Sequence, residues 1–475
     1  DLYKKENVIA TYKTLSSLGT FKTTSIEFDT INNGCNDLVA KIRLKPAKMQ
    51  SFTVATDGIH RNGLLGIEGR IAYSHKNIFK GAEKLQISLS GGLEMQQLLT
   101  DEAESGIENP NLASFNTIEF GPTVSLTIPR FVFLGKLFPK AYNPKTEFSG
   151  IISYQKRPDF TRNKENFSFG YVWHEKQPIT YRFTPFNISA IKITKSDAFQ
   201  AKINELNDRL LAASYQDHII ASTKLSFTYN GQDIKKKRKN LFYFQSVLET
   251  AGNSLRAFYK LTNQDLNDQG AYELFKIRFA QFVKMSGDFR YYNKITERIK
   301  VVTRVAGGIG VPLKNLNEAL PFEKSFYSGG ANGLRAWKAR TIGPGSYYDS
   351  TSSFDKIGDI QMEGNFEIRF PISSWIDGAV FADAGNIWLI NEDSLRSGGQ
   401  FKAENFISEI GIGTGLGVRM DLDFFIIRFD FAMPIRNPAL PKEERWIGYG
   451  KWRDPSSYEN GSLRKDFFPW QFNLG

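Results

Sequence analysis

The stretch Ile118-Glu119-Phe120-Gly121-Pro122-Thr123-Val124-Ser125-Leu126-Thr127-Ile128 decides the fold. Its even positions are apolar, and its odd positions carry Glu, Gly, Thr, Ser and Thr. A period of two places these sets on opposite faces of an extended strand. The same alternation returns upstream in Leu85–Met95 and downstream in Leu225–Tyr229, Phe366–Phe370, Ile427–Met433 and Trp470–Leu474. A soluble sandwich would bury such apolar faces between two sheets. Against that reading, the polar faces carry charges in mid-strand, as at Glu119, Glu367, Arg369, Arg428 and Asp430. Nor do the repeats give way to a second set of apolar faces at short Greek-key spacing. A closed membrane barrel requires apolar-out, polar-in alternation over ~9–11 residues per strand.

Counted along the chain, strands are expected near 51–58, 64–75, 84–97, 116–129, 146–158, 166–175, 181–193, 218–230, 240–256, 272–292, 299–312, 359–372, 375–389, 408–420, 424–435 and 469–475. That makes sixteen, an even number, as single-chain bacterial barrels have. Short turns, around Phe79–Glu83 and Ser373–Ser374, follow even strands. Long connections, at 98–115, 194–217, 313–358 and 436–468, follow odd ones. Short periplasmic turns and long external loops are the expected asymmetry. The fold class is thus all-β: a 16-stranded antiparallel transmembrane β-barrel over residues 47–475.

Composition narrows the alternatives. The 475 residues include 61 Lys+Arg and 50 Asp+Glu, a formal charge of +11. With 41% hydrophobic and 23% charged residues the chain is not of a disordered class. One cysteine excludes a disulfide framework or a Cys-rich zinc module, and Cys35 reads as a buried apolar residue. Four scattered histidines, His60, His75, His174 and His218, leave little room for a histidine-built metal site. No run of 18 apolar residues exists, which excludes a helical membrane protein but not a barrel. Asp1 and Gly475 read as trimmed edges, and the chain carries no leader from which to judge secretion.

Residues 1–46 behave differently. Val8, Tyr12, Leu15 and Leu18 fall at helical spacing, with Gly19 placed to end the helix. Two amphipathic strands follow, near Phe21–Phe28 and Leu38–Leu44, with Asn32-Asn33-Gly34 between them. Such a unit is too small to hold a core alone and reads as the back half of a small α/β module.

The segment 327–345 is the most unusual: Tyr327-Ser328-Gly329-Gly330-Ala331-Asn332-Gly333-Leu334-Arg335-Ala336-Trp337-Lys338-Ala339-Arg340-Thr341-Ile342-Gly343-Pro344-Gly345. Leu334-Arg335-Ala336-Trp337 sets one cation between large apolar groups, so the tip gains by folding into a polar lumen. A plain Gly-rich external loop is the alternative. Acceptors exist nearby. Glu367 faces the lumen by alternation, and Phe-x-Asp-x-Gly puts Phe381, Asp383 and Gly385 on one face. A carboxylate at lumen depth needs a partner or water, and a guanidinium can bind it bidentately. Gly411, Gly413, Gly415 and Gly417 share one face, which permits close approach of another backbone.

Gly329-Gly330, Leu334-Arg335-Ala336-Trp337 and Ile342-Gly343-Pro344-Gly345 resemble the sixth-loop Arg-Gly-Phe/Tyr signature of the BamA/TamA outer-membrane assembly family. Gly364–Pro371, Phe381–Trp388 and Arg428–Pro434 resemble the two strands after that loop and the penultimate strand. Residues 1–46 are similar to the C-terminal part of the last POTRA module, and the whole chain looks most like TamA-type members of Bacteroidetes. The resemblance implies that Arg335 is the lumen-inserted arginine of loop 6 (313–358) and that Asp383 and Glu367 are its partners. One departure is Ala336 where the family has Gly, so the tip is expected to adopt ordinary φ/ψ there.

The resemblance further implies a bacterial outer-membrane protein without covalent chemistry, cofactor or metal. Its partners would be the lipid bilayer, client outer-membrane proteins and periplasmic or lipoprotein subunits reached through the POTRA module, with no nucleic acid. In that family the first and last strands form a weak seam. Here the first strand has two clear apolar outward positions, Phe52 and Val54, and the last contributes Trp470, Phe472 and Leu474. Lateral opening would expose edges that template an incoming strand. A two-partner-secretion-type transporter and a passive porin-like channel are the rival readings.

Smaller features fit around this. Lys235-Lys236-Lys237-Arg238-Lys239 falls at a periplasmic turn, where headgroup contact or solvation is expected. Trp388 and Trp470 are expected in an aromatic girdle, whereas Trp375 has the parity of Asp383. Segment 194–217 has helical character. No catalytic constellation stands out, and Asp421-x-Asp423 is too little for calcium.

Overall fold

The computed structural model describes residues 3–30, 38–61, 64–96, 99, 115–133, 142–175, 178–232, 239–268, 270–315, 319–348, 354–422, 425–447 and 471–474. Cys35, Asn32–Gly34, Lys235–Arg238, Asp423 and Trp470 lie outside the described residues. A small N-terminal unit comprises helix α1 (Lys5–Ser17) and the antiparallel pair β1 (Phe21–Thr30) and β2 (Leu38–Pro46). Gly19, at φ +69°, turns the chain out of α1. No residue of α1 is buried, and Leu38, Ile42 and Leu44 of β2 stand exposed.

Sixteen strands form one antiparallel sheet. They are β3 (Gln50–Arg61), β4 (Leu64–His75), β5 (Lys84–Glu94), β6 (Thr117–Ile128), β7 (Lys145–Lys156), β8 (Phe160–Trp173), β9 (Ile179–Lys195) and β10 (His218–Asn230). Then come β11 (Asn240–Ala251), β14 (Phe282–Lys294), β15 (Lys300–Pro312), β16 (Ile360–Pro371), β17 (Ile376–Trp388), β18 (Gly411–Asp421), β19 (Ile426–Arg436) and β20 (Gln471–Leu474). Each pairs with its neighbours in chain order, and β3 and β20 are the two edges. Helices α2 (Asp197–Leu206), α3 (Arg209–Ser214) and α4 (Asn253–Leu261), and the hairpin β12 (Glu273–Leu274) and β13 (Ile277–Arg278), occupy connections.

The alternation is inside out. On β6, Ile118, Phe120 and Val124 are 49%, 48% and 44% exposed, while Thr117 and Gly121, of the opposite parity, are buried. Their cross-strand partners on β5, Leu93, Gly91 and Ile87, continue the same face. We call this the outward face and the opposite one the inner face. The inner face is polar along most strands. At one end it carries an apolar cluster of Phe160, Ile191, Ile193, Ile220 and Phe282, covered by Phe199 and Ile203 of α2 and Leu211 of α3. Antiparallel order puts every long connection except 129–144 at that end. Ser17 of α1 meets Asn143 (Oγ to Oδ1, 3.2 Å) in the 129–144 connection at the other end.

Three boundaries differ from the sequence reading by five residues or more. The strand expected at 272–292 is β14, which starts only at Phe282, because 253–278 forms α4 and a two-residue hairpin. The strand expected at 240–256 stops at Ala251, where Gly252 at φ +68° breaks the extended run. The strand expected at 166–175 is β8, which begins at Phe160. The gaps that the expected strands leave at 257–271 and 390–407 are the long connections 252–281 and 389–410, and 129–144 is the long exception among the turns at its end. Trp388 is no girdle residue: it is fully buried, and its Nε1 donates to Glu409 Oε2 at 2.7 Å. Trp375 lies in the turn before β17 and is half exposed.

Candidate functional site

The 327–345 segment crosses the inner face of β15 to β20. Its ends are tied by Gly330 N to Trp337 O and Arg340 N to Ser328 O, at 2.8 and 2.9 Å. Gly329 and Gly330 make this possible, at φ +96° and +87°, a region open to glycine and strained for other residues. The tip between them, Gly333 to Ala336, is buried, and Leu334 is fully so.

Arg335 is 4% exposed. Its Nε donates to Asp383 Oδ2 and its Nη2 to Asp383 Oδ1, both at 2.9 Å. The Arg335 backbone N–H adds a third bond to Oδ2 at 3.0 Å, and Asn365 Nδ2 a fourth to Oδ1 at 2.8 Å. Four donors saturate a carboxylate, which is what burial of an ion requires. Arg335 Nη1 meets Glu367 Oε2 at 2.7 Å and Asp430 Oδ2 at 3.4 Å. The guanidinium lies 3.4 Å from the Phe381 ring centre, so its face is covered as well as its edge.

Strand register brings these groups together. Asn365 pairs with Asp383 and Glu367 with Phe381, so the acid of β16 and the acid of β17 share the inner face two positions apart. Asp430 of β19 pairs with Gly417, whose lack of a side chain leaves room for Arg419 to reach across. Arg419 links Glu367 Oε2 and Asp430 Oδ1, each at 3.0 Å. Arg428 stands 3.3 Å from Asp430 and donates to the loop at Ala331 O (2.8 Å) and Asn332 Oδ1 (3.0 Å). Arg369 binds Glu367 Oε1. The cluster is therefore four arginines against three acids, a lattice of charge-assisted bonds in which each acid has at least two cationic or amide partners.

Sequence reasoning missed Asp430 and Arg419 as members. Asp430 shares the parity of Arg428 and the buried Ala432, a signal available in the alternation. Ser328 Oγ to Glu363 Oε1 (2.7 Å) and Arg304 Nη1 to Glu363 Oε2 (3.1 Å) extend the contact to β15. Asn473 Nδ2 of β20 donates to Arg335 O at 3.0 Å.

The remaining tip residues fill the glycine face. Ala336 and Trp337 pack with Phe381 and Ala432, and Ala336 has no positive φ. A Cβ on Gly411 would lie 2.5 Å from Ile342, and one on Gly385 would lie 3.0 Å from Leu334. Among the described residues no group of three His, Cys, Asp or Glu could hold a metal. The seam positions are on the two sheet edges. Phe52 and Val54 are each 75% exposed. Phe472 pairs with Phe431 and packs on its ring and that of Phe429, Leu474 pairs with Phe429, and Trp470 is not described.

At the long-loop end two acids have displaced pKa values. Glu323 is buried, which alone would raise it, but the bond from His218 Nε2 (3.1 Å) and nearby Arg162 bring it down to about 2. Asp359 is pushed up to about 6 by burial, against the backbone N–H groups of Ile390 and Leu320.

A model of the Omp85 superfamily domain matches residues 77–450. Over 160 residues the chain is 24% identical to the outer membrane protein assembly factor BamA of Neisseria meningitidis serogroup B, covering 30% of this chain and 19% of that protein. The crystal structure of Haemophilus ducreyi BamA lacking POTRA domains 1-3 superposes with TM-score 0.57 at 14% identity, covering 90% of this chain and 74% of the other. CdiB from Acinetobacter baumannii gives 0.51 at 12% identity, covering 90% and 65%. CdiB from Escherichia coli gives 0.50 at 13%, covering 92% and 68%.

Proposed function

The chain belongs to the Omp85 superfamily of outer-membrane proteins, and we propose that it is an assembly factor that folds or inserts client β-barrel proteins. On this reading the sheet closes into a transmembrane barrel whose outward face meets lipid. Residues 1–46 are the C-terminal part of a POTRA module on the periplasmic side, supported by the α–β–β order and the Ser17–Asn143 contact. The placement near TamA-type proteins of Bacteroidetes rests on the motif segments alone.

One observation carries the proposal: the sheet has two edges. Among the described residues β3 pairs with β4 alone and β20 with β19 alone. An unpaired edge in lipid is expensive, and a client strand relieves it by β-augmentation. The arginine cluster supports this role without chemistry. It holds the loop tip against β16 to β19, which on this reading leaves the β3 and β20 edges as the part that opens. The partners are accordingly the outer-membrane bilayer, unfolded client barrels and periplasmic subunits docking on the POTRA part.

The test is a lock. With Cys35→Ser removing the native thiol, Val54→Cys and Phe472→Cys are oxidised to a disulfide in proteoliposomes supplied with an unfolded client barrel. Client folding should stop in the oxidised protein and resume on reduction. Full folding by the locked form refutes lateral opening.

A second reading, export of a client chain through the interior as in two-partner secretion, is favoured by the shared fold with the two CdiB structures. It places the moving part at the loop tip instead of the seam. The same lock separates the two, since export through the interior survives a closed seam.

A further inference from the structure

The connection between β11 and β14 has an unusual placement. Leu255 and Tyr259 of α4, one turn apart, pack against Ile219, Tyr272 and Phe279. Ile219 pairs with Ala190, and two residues on Ala221 pairs with Ile188, which is exposed on the outward face. The alternate residues, Ile191 and Ile220, belong to the inner cluster. The segment 252–281 therefore folds back over the outward face of β9 and β10, whereas α2 and α3 cover the inner face. Asn315 fastens it there, donating to the carbonyls of Tyr272 and Phe279 at 3.0 and 2.8 Å.

With the sheet taking Leu255 and Tyr259, α4 has two flanks at about 100° per residue. One holds Ala257, Phe258 and Leu261. The other holds the exposed Lys260 and Arg256, whose Nη1 donates to Gln281 Oε1 at 3.3 Å and whose guanidinium lies over the Tyr272 ring. Phe258 and Leu261 are 58% and 83% exposed. The hairpin beyond ends in a two-residue turn, Phe275-Lys276, between Leu274 and Ile277. Both turn residues have positive φ, +53° and +62°. This is the conformation for which such turns select Asn-Gly, and a bulky residue adopts it only at a cost. That cost sets a phenyl ring, 85% exposed, beside an ammonium group at a projecting tip.

We propose that α4 and the Phe275-Lys276 tip form an interfacial lipid anchor. Phe258, Leu261 and Phe275 enter the acyl region of the facing leaflet, and Lys260 and Lys276 meet headgroup phosphates. The inference rests on the transmembrane reading of the sheet given above. Lipid is the occupant because the patch continues the exposed apolar surface of Phe186, Ile188, Leu225, Leu248 and Met285. Charge is also sorted to one flank of α4, as in helices that lie in a membrane surface.

The test uses the full chain with Cys35→Ser in nanodiscs of phosphatidylcholine and phosphatidylglycerol. Nitroxides are placed singly through Leu248→Cys on the sheet, and through Leu261→Cys and Phe275→Cys on the anchor. Collision with oxygen reports lipid, and collision with an aqueous nickel chelate reports water. All three sites should favour oxygen. Oxygen at 248 with nickel at 261 and 275 overturns the anchor and spares the barrel. Nickel at 248 as well means that the barrel reading itself has failed, and the anchor with it. Shielding of 261 and 275 from both reagents means that protein covers the patch, and also overturns it. In a second measurement, Phe258→Ser, Leu261→Ser and Phe275→Ser combined should slow refolding into vesicles several-fold and leave refolding in detergent unchanged. Equal rates in vesicles overturn the proposal.

Discussion

A methyl group on Gly413 would stand 2.5 Å from the Cβ of Ala336. Strand β18 and the loop tip are thus within the reach of one hydrogen atom, and glycine is what admits the tip. Gly413→Val is overpacked by several atoms at a site hemmed in by Trp337 and Met433, at about 1–3 kcal/mol. The variant should lose its folded gel mobility at a lower temperature than wild type. Ala336→Gly, which removes the opposing atom, should relieve Gly413→Ala. Equal melting of Gly413→Val and wild type would show that the tip does not rest there.

Removing the Arg335 side chain leaves Asp383 buried with Asn365 and one backbone N–H as donors. Breaking a buried pair on one side costs about 3–5 kcal/mol. Arg335→Ala should lower the heat stability of the folded form sharply. Arg335→Lys keeps the charge and loses the two-point bond to Asp383, so it should fall between. The check is the temperature of mobility shift for the three proteins side by side, and an unchanged Arg335→Ala profile would count against the clamp.

Asp359 supplies a pH dependence. Its carboxyl is raised from the ordinary 3.8 to about 6 by burial. A raised acid stabilises the fold below its unfolded pKa, and that contribution is lost as pH rises through the folded value. From this group the long-loop end should therefore be tighter at pH 4 than at pH 7.5, by roughly 2 kcal/mol. Glu323, held low by His218 and Arg162, acts in the opposite sense and gives up part of its contribution at pH 4. Hydrogen exchange of 313–326 and 389–400, corrected for intrinsic rate, reads this directly. Asp359→Asn should flatten the difference, and a difference that persists in Asp359→Asn assigns it to another group.

The tip covers the inner face of β15 to β20, and α2 and α3 cover that of β8 to β10 and β14. In planar bilayers the wild-type protein should conduct weakly, and Arg335→Ala should conduct more, with larger fluctuations. A large, steady conductance in the wild type would favour the porin reading.

The sheet was legible because alternation is written into every strand, as in Ile118 to Ile128, and because each strand must by itself keep its apolar side chains on one face. The pairing of Arg335 with Asp383 and Glu367 was legible for the same reason, since parity alone puts both acids on one face. Asp430 and Arg419 were harder. Their meeting depends on register across β18 and β19 and on the space above Gly417, neither of which a single strand encodes. Trp388 misled because its type suits a membrane boundary, while its indole N–H has a private acceptor in Glu409 some twenty residues away. The two ends of the 252–281 connection, 252–256 and 272–281, were read as strand, the second because Tyr272 and Leu274 mimic alternation. Gly252 and the Phe275-Lys276 turn break the run by backbone conformation, which the residue types do not announce.

Residue 335 offers its guanidinium to β17 and its carbonyl to Asn473 of β20. One residue thus couples the loop tip to two strands at once. Any displacement that frees its guanidinium is felt at the β20 edge as well as at Asp383.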